Sequence, residues 1–169
     1  MVRNKNRLFT LFGLILVILL FGSILVSCNF NGTGDNNGVL FNDNFEFTYL
    51  RATDTYEVTK YIGVGNTAVI PETFNEKSVT SVGEKAFYNC SDLTSIDMPE
   101  VVTNIGSDAF YGCSSITSLD VPDGVASIRT RAFYGCSRLK TVNLPSSLQH
   151  IEASAFYGCS SLEEINFPD

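Results

Sequence analysis

The sequence predicts a repeat solenoid, α/β to mostly β, in which short parallel strands are joined by turns and short helical or 3₁₀ segments. Three observations carry that reading. AFYNC at residues 86–90 returns as AFYGC at 109–113, 132–136 and 155–159, a constant step of 23 residues. Apolar columns keep the same register, among them Val82, Ile105, Ile128 and Ile151, and Leu93, Ile116, Leu139 and Leu162. Two further columns, Ile96, Leu119, Val142, Ile165 and Met98, Val121, Leu144, Phe167, alternate with polar residues as a half-buried strand does. Each unit then reaches Pro99, Pro122, Pro145 or Pro168. One unit cannot bury its own apolar face, whereas stacking at about 4.8 Å per strand buries a continuous column.

Taken in chain order, the first element is an export segment over residues 1–27. Arg3, Lys5 and Arg7 precede an uncharged apolar stretch at residues 8–26, the pattern of a positive n-region followed by an h-region. The positive cluster stays on the cytoplasmic side, so everything after residue 28 is expected to be extracytoplasmic. Leu25-Val26-Ser27-Cys28 resembles the lipobox of bacterial lipoproteins, which implies that Cys28 carries a lipid and becomes the mature N-terminus. The alternative is an uncleaved signal anchor, because about 20 apolar residues suffice to span a bilayer as a single helix. Removing residues 1–27 deletes three basic side chains and no acid, so the net charge moves from −7 to −10. An acidic surface of this kind disfavours docking on anionic headgroups, and the lipid itself is expected to hold the protein to the membrane. It equally excludes a phosphate-backbone binder, since no basic run follows the N-terminal trio.

Residues 28–43 read as the lipidated Cys and a flexible linker rich in Asn and Gly. Asp35-Asn36-Asn37-Gly38 superficially resembles a calcium loop but lacks the spaced carboxylates and distal Glu such a loop needs. From residue 44 to 78 a hairpin cap and a degenerate first repeat are expected. Phe45, Phe47 and Tyr49 alternate on one face, and Tyr56 and Val58 answer them across a polar connection. The hairpin is expected to protect the first exposed edge of the array. The degenerate unit ends at Val69-Ile70-Pro71, and a polar stretch at 72–78 separates it from residues 79–169, read as four repeats with the last incomplete.

The unit LTSIDMPEVVTNIGSDAFYGCSS and the entry segment VIPETFNEKSVTSVGEKAFYNC resemble the BspA-like (Treponema-type) leucine-rich repeat over roughly residues 45–169. The resemblance implies a leucine-rich-repeat solenoid with an N-terminal β-hairpin cap. It also implies a surface-exposed role in adhesion or protein recognition, an inference from fold to function rather than from a site.

Candidate sites follow from the columns. Ser95, Asp97, Ser118, Asp120, Thr141, Asn143, Glu164 and Asn166 are polar, repeat at strand spacing and have no duty in the core. A protein ligand is expected on that open face, the alternative being a merely solvated sheet. Tyr88, Tyr111, Tyr134 and Tyr157 neighbour the Phe87, Phe110, Phe133 and Phe156 column. With Phe pointing in, the tyrosines form an outward aromatic ladder on the convex side, either self-stacked or offered to a partner or glycan. Cys90, Cys113, Cys136 and Cys159 would lie in line, so they cannot converge on one metal ion, and their parallel side chains suit disulfides poorly; they read as small buried hydrophobes. Arg129, Arg131, Arg138 and Lys140 make a local basic spot that neighbouring acids can pair.

Nothing supports catalysis or a cofactor. His150, the only His, fills the variable slot of Asn104 and Ser127 and reads as an exposed loop residue without an acid–base partner. No metal set is present and none is expected. The last unit stops at Phe167-Pro168-Asp169 without a polar cap, which points to end-to-end self-association or to continuation in a longer product.

Overall fold

A computed structural model describes residues 40–167 as a β-solenoid without helices among the described residues. The export segment, Cys28, most of the linker and Pro168-Asp169 lie outside them.

The cap comprises β1 (Leu40–Phe41), β2 (Phe45–Leu50) and β3 (Thr55–Tyr61), antiparallel to one another in sequence. Phe45 and Phe47 are buried as the alternation requires, while Tyr49 on the same face is half out, tilted against Tyr56 at 5.4 Å. Next come β4 (Thr67–Val69), the degenerate unit's strand, then β5 (Thr73–Phe74) and β6 (Lys77–Val82). The polar stretch after Pro71 is thus a second hairpin, turned at Asn75 and Glu76 with positive φ. It places Phe74 in the core, stacked on Phe47 at 4.1 Å.

From there each coil contributes one strand to each of two sheets. β7 (Ser95–Asp97), β9 (Ser118–Asp120), β11 (Thr141–Asn143) and β13 (Glu164–Asn166) form the strand face with β4. β8 (Asn104–Ile105), β10 (Ser127–Ile128) and β12 (His150–Ile151) continue the second sheet in the order β1-β2-β3-β6-β8-β10-β12. The cap therefore closes the second sheet only, because β3 pairs in parallel with β6. Among the described residues β4, at the edge of the strand face, pairs β7 alone.

The third side of each coil, the AFYGC segment, was expected to be helical or 3₁₀ and is instead a chain of tight turns. The reason lies in where alternate amides go. Ala109, Tyr111 and Cys113 donate to the carbonyls three residues back, but Phe110 and Gly112 donate to Ala132 and Tyr134 of the next coil, each at 2.8 Å. A helix would need every amide for itself. Positive φ at Asp108 (55°) and Gly112 (72°) breaks the run at both ends. At Gly112 a side chain would also strike the Asn89 carboxamide.

The core is the expected set of columns. Phe87, Phe110 and Phe133 are buried and stack at 4.9 and 5.2 Å, and Tyr61 extends the stack from the cap at 5.4 Å. Val82, Ile105 and Ile128 close it from the second sheet, and Leu119 and Val142 from the strand face.

Candidate functional site

The strand face is built by inward burial of Ile96, Leu119 and Val142, which turns the residues on either side of each toward solvent. Ser95, Asp97, Ser118, Asp120, Asn143, Glu164 and Asn166 are all exposed and Thr141 is half-buried. Parallel register puts Thr67, Ser95, Ser118, Thr141 and Glu164 in neighbouring rows, and Val69, Asp97, Asp120, Asn143 and Asn166 in a second column. Within that second column the Asn166 amide donates to the Asn143 carbonyl oxygen at 2.7 Å, and the Asn143 amide donates to Asp120.

One interruption was not anticipated. The face divides into a three-stranded group, β9, β11 and β13, and a two-stranded group, β4 and β7. Asp97 and Asp120 occupy the same column at that break. Neither ionised carboxylate can donate to the other, whereas each Asn beyond them bonds back to the preceding coil. Two of the candidate residues, Asp97 and Asp120, therefore sit at a joint in the sheet.

On the turn side, Tyr88, Tyr111, Tyr134 and Tyr157 stack at 4.8, 4.7 and 5.0 Å with nearly parallel planes. The terminal rings are exposed and the two middle ones half-buried. Because each middle ring is covered on both faces, the ladder presents edges and hydroxyls outward. Asp108, 4% exposed, accepts a hydrogen bond from Arg131 at 2.9 Å across the coil boundary. Of the basic spot, Arg129 pairs Glu152 at 3.2 Å and Lys140 pairs Glu163 at 3.7 Å, leaving it largely neutralised.

The four cysteines among the described residues are free thiols. Cys113 and Cys136 are buried, Cys90 and Cys159 half-buried. The Sγ of Cys113, Cys136 and Cys159 donates to the carbonyl of Phe87, Phe110 and Phe133, at 3.1, 3.3 and 3.2 Å, so each thiol ties its coil to the one before. Among the described residues no group of side chains is arranged to hold a metal ion. Burial pushes the Cys113 thiol up to about 12, and the Cys159 thiol beside it together with burial pushes Cys136 up as well. A raised thiol pKa leaves stability intact below the unfolded value near 8.5 and removes it as pH rises, at no more than about 1.4 kcal/mol per pH unit per group. Unfolding by denaturant is therefore expected to become easier between pH 9 and 11, and Cys113→Ala is expected to flatten that slope. An unchanged slope would count against burial of the thiol.

His150 is exposed as expected but lies in a strand, β12, rather than a loop, since its slot pairs with Ser127 in parallel register. A feature missed in the sequence sits at the other end of the array. Tyr61 takes the stacking place of the Phe column, yet Tyr61 to Ala68 spans two residues fewer than the equivalent Phe87 to Ile96. The shortened spacing was the available signal. It removes the Cys and Leu places from the first coil and leaves a cleft of about 190 Å³ beside Cys90 and Leu93.

Comparison with known proteins agrees with this geometry. The model of the BspA type leucine rich repeat region matches residues 66–169 in six copies. A leucine rich cell surface protein from Faecalibacterium prausnitzii is 28% identical, with 76% of this chain and 38% of that one aligned and a TM-score of 0.58. A leucine-rich repeat protein from Bacteroides ovatus is 27% identical over 75% of this chain and 40% of its own, also with a TM-score of 0.58. A leucine-rich repeat protein from Bacteroides capillosus, 24% identical, shares the fold with a TM-score of 0.67 over 75% of this chain and 96% of its own. This chain thus spans about two-fifths of the length of the first two. A search of curated proteins gave no match. Period, stacked aromatic core, paired parallel sheets and the family match together show that the chain belongs to the BspA-type leucine-rich-repeat family.

Proposed function

We propose that this chain is a cell-surface recognition module that binds a protein partner on its strand face and performs no catalysis. The observation that supports it is the pair of exposed polar columns, Ser95, Ser118, Thr141, Glu164 and Asp97, Asp120, Asn143, Asn166, on a sheet whose other face is core. Solenoids bind on such extended surfaces. That the Faecalibacterium relative is a cell surface protein supports an extracytoplasmic place, reached here through the export segment and a lipid on Cys28. Among the described residues no helix is long and apolar enough to cross a membrane. The mass of the mature N-terminus distinguishes a lipid on Cys28 from a retained Met1.

The test of the site uses a photo-crosslinking side chain at Ser118. Adducts with extracellular proteins are expected, and Asp97→Lys combined with Asp120→Lys is expected to cut their yield about tenfold, the scale of losing one or two well-placed charge contacts. Thermal stability should be nearly unchanged, because both side chains are exposed and one like-charge pair replaces another. Equal adduct yield from the turn-side position Ser114 would sink the assignment. A second reading, a stackable scaffold or the leading part of a longer surface repeat protein, draws on the length of the two relatives and on the exposure of Ile165 and Phe167. Concentration-dependent sedimentation separates it from a monomeric binder.

A further inference from the structure

We propose that the cleft at the N-terminal end of the strand face takes an extended segment of a partner protein, one that carries an aliphatic side chain between basic residues and adds as a strand to β4. The site shares Asp97 with the polar columns, but it is built on the cleft and the β4 edge and does not rest on their reading.

The first observation is the vacancy itself. Every later coil fills the positions of Cys90 and Leu93 with a side chain that packs on the coil before, but the first coil is too short to supply them. Tyr61, Val64 and half-buried Cys90 furnish apolar surface above Leu93, which is itself buried, and Asn89, Ser91 and Asp92 line the mouth. A volume of about 190 Å³ exceeds the roughly 150 Å³ known to admit a benzene ring, so one leucine-sized group fits.

The second observation is the edge of β4, unpaired among the described residues. Ile70 N donates to Asp97 O at 2.9 Å and Asn66 O accepts from Thr94 N at 2.7 Å, which places residues 66, 68 and 70 toward β7. Strand alternation then turns the amides and carbonyls of Thr67 and Val69 the other way. The hairpin cap, which protects the second sheet, does not pair with this strand. Native edges are ordinarily blunted by charge or proline, yet Val69 stands 65% exposed where later coils carry Asp or Asn, and Ile62 and Val64 are exposed beside it. Main-chain bonds to an edge with a pocket for one side chain is the established mode of strand addition.

Charge selects the occupant. Residues 61–70 and 89–98 contain no Lys, Arg or His, while Asp92 and Asp97 are exposed at the cleft mouth and along β7. Flanking basic residues on the incoming segment meet that field. The repeat's own spacing, Leu93 to Ile96, sets the pattern: an aliphatic residue for the cleft and a second one three positions later, over Ala68.

The probe is the peptide acetyl-Lys-Leu-Thr-Lys-Val-Thr-Lys-amide, with the Leu and Val replaced by Gly as its control, titrated into the ¹⁵N-labelled chain. Amide shifts are expected at residues 61–70 and 89–97, with affinity about tenfold above the control. Asp92→Lys, a substitution at an exposed position, should weaken binding about fivefold, and Val69→Pro, which removes an outward amide, should abolish the shifts. Asp120→Lys should leave the peptide bound, which separates this site from the strand-face reading. Equal binding of the control, or shifts centred on Asp120 and Asn143, would overturn the proposal as mere attraction to an acidic surface. A concentration-dependent dimer of the chain alone that excludes the peptide would overturn it in favour of a second copy as occupant.

Discussion

Phe133→Ala is expected to lower unfolding free energy by about 3–5 kcal/mol, the cost of deleting a buried aromatic and leaving a cavity. The ring is 1% exposed and lies between Phe110 at 5.2 Å and Phe156 at 5.3 Å, with interplanar angles of 3° and 12°. Its backbone is equally committed. The Phe133 amide donates to Ala155 O at 2.9 Å, and its carbonyl accepts the Cys159 thiol at 3.2 Å. Adjacent coils contact only their neighbours, so a gap here weakens two interfaces at once and divides the array near its middle. For a small domain whose whole stability is about 5–15 kcal/mol, that loss removes about a fifth of it at the least. Phe156→Ala is the control. Phe156 is half-buried and stacks on one described Phe, so its loss should be clearly smaller. Urea unfolding of the two variants measures both, and equal losses would mean that the stack does not set the stability of the array.

The second large effect is expected at Gly106. A Cβ there would lie 2.6 Å from Glu84 N and 2.7 Å from the Gly83 carbonyl carbon, and both are backbone of the neighbouring coil. Side chains can swing aside; a strand held by β6–β8 pairing through Ser81–Asn104 and Val82–Ile105 cannot. Gly106→Ala should therefore force the coils apart at about 1–3 kcal/mol, the range for overpacking. Gly135→Ala provides the contrast. It meets nothing closer than 3.9 Å, and its cost comes from its φ of +72° instead. Hydrogen exchange distinguishes the two, since only Gly106→Ala should expose the amides that join β6 to β8.

The two expectations draw on different kinds of information. Phe133 was identifiable as core from its column alone, because a residue type repeated at a fixed step in a stacked array must repeat its environment. Gly106 was not, for its column reads Gly83, Gly106, Arg129 and Glu152, and the glycine is not kept through the array. The same difference runs through the candidate site. The exposed columns from Ser95 to Asn166 were legible from alternation. The left-handed turns at Lys85, Asp108, Arg131 and Ser154 were hidden, since four unlike non-glycine residues share one backbone state there.

By itself, then, the sequence determined the period, the inward and outward columns, the hairpin and the family, because stacking turns each residue's identity into a property of a whole column. Only the tertiary structure decided which sheet the cap closes, that the strand face breaks between Asp97 and Asp120, and that a two-residue deletion opens a cleft beside β4. Those features arise where the repeat is imperfect. There a residue's surroundings are set by the coil above or below it, about 23 positions away, and not by its own neighbours in the chain.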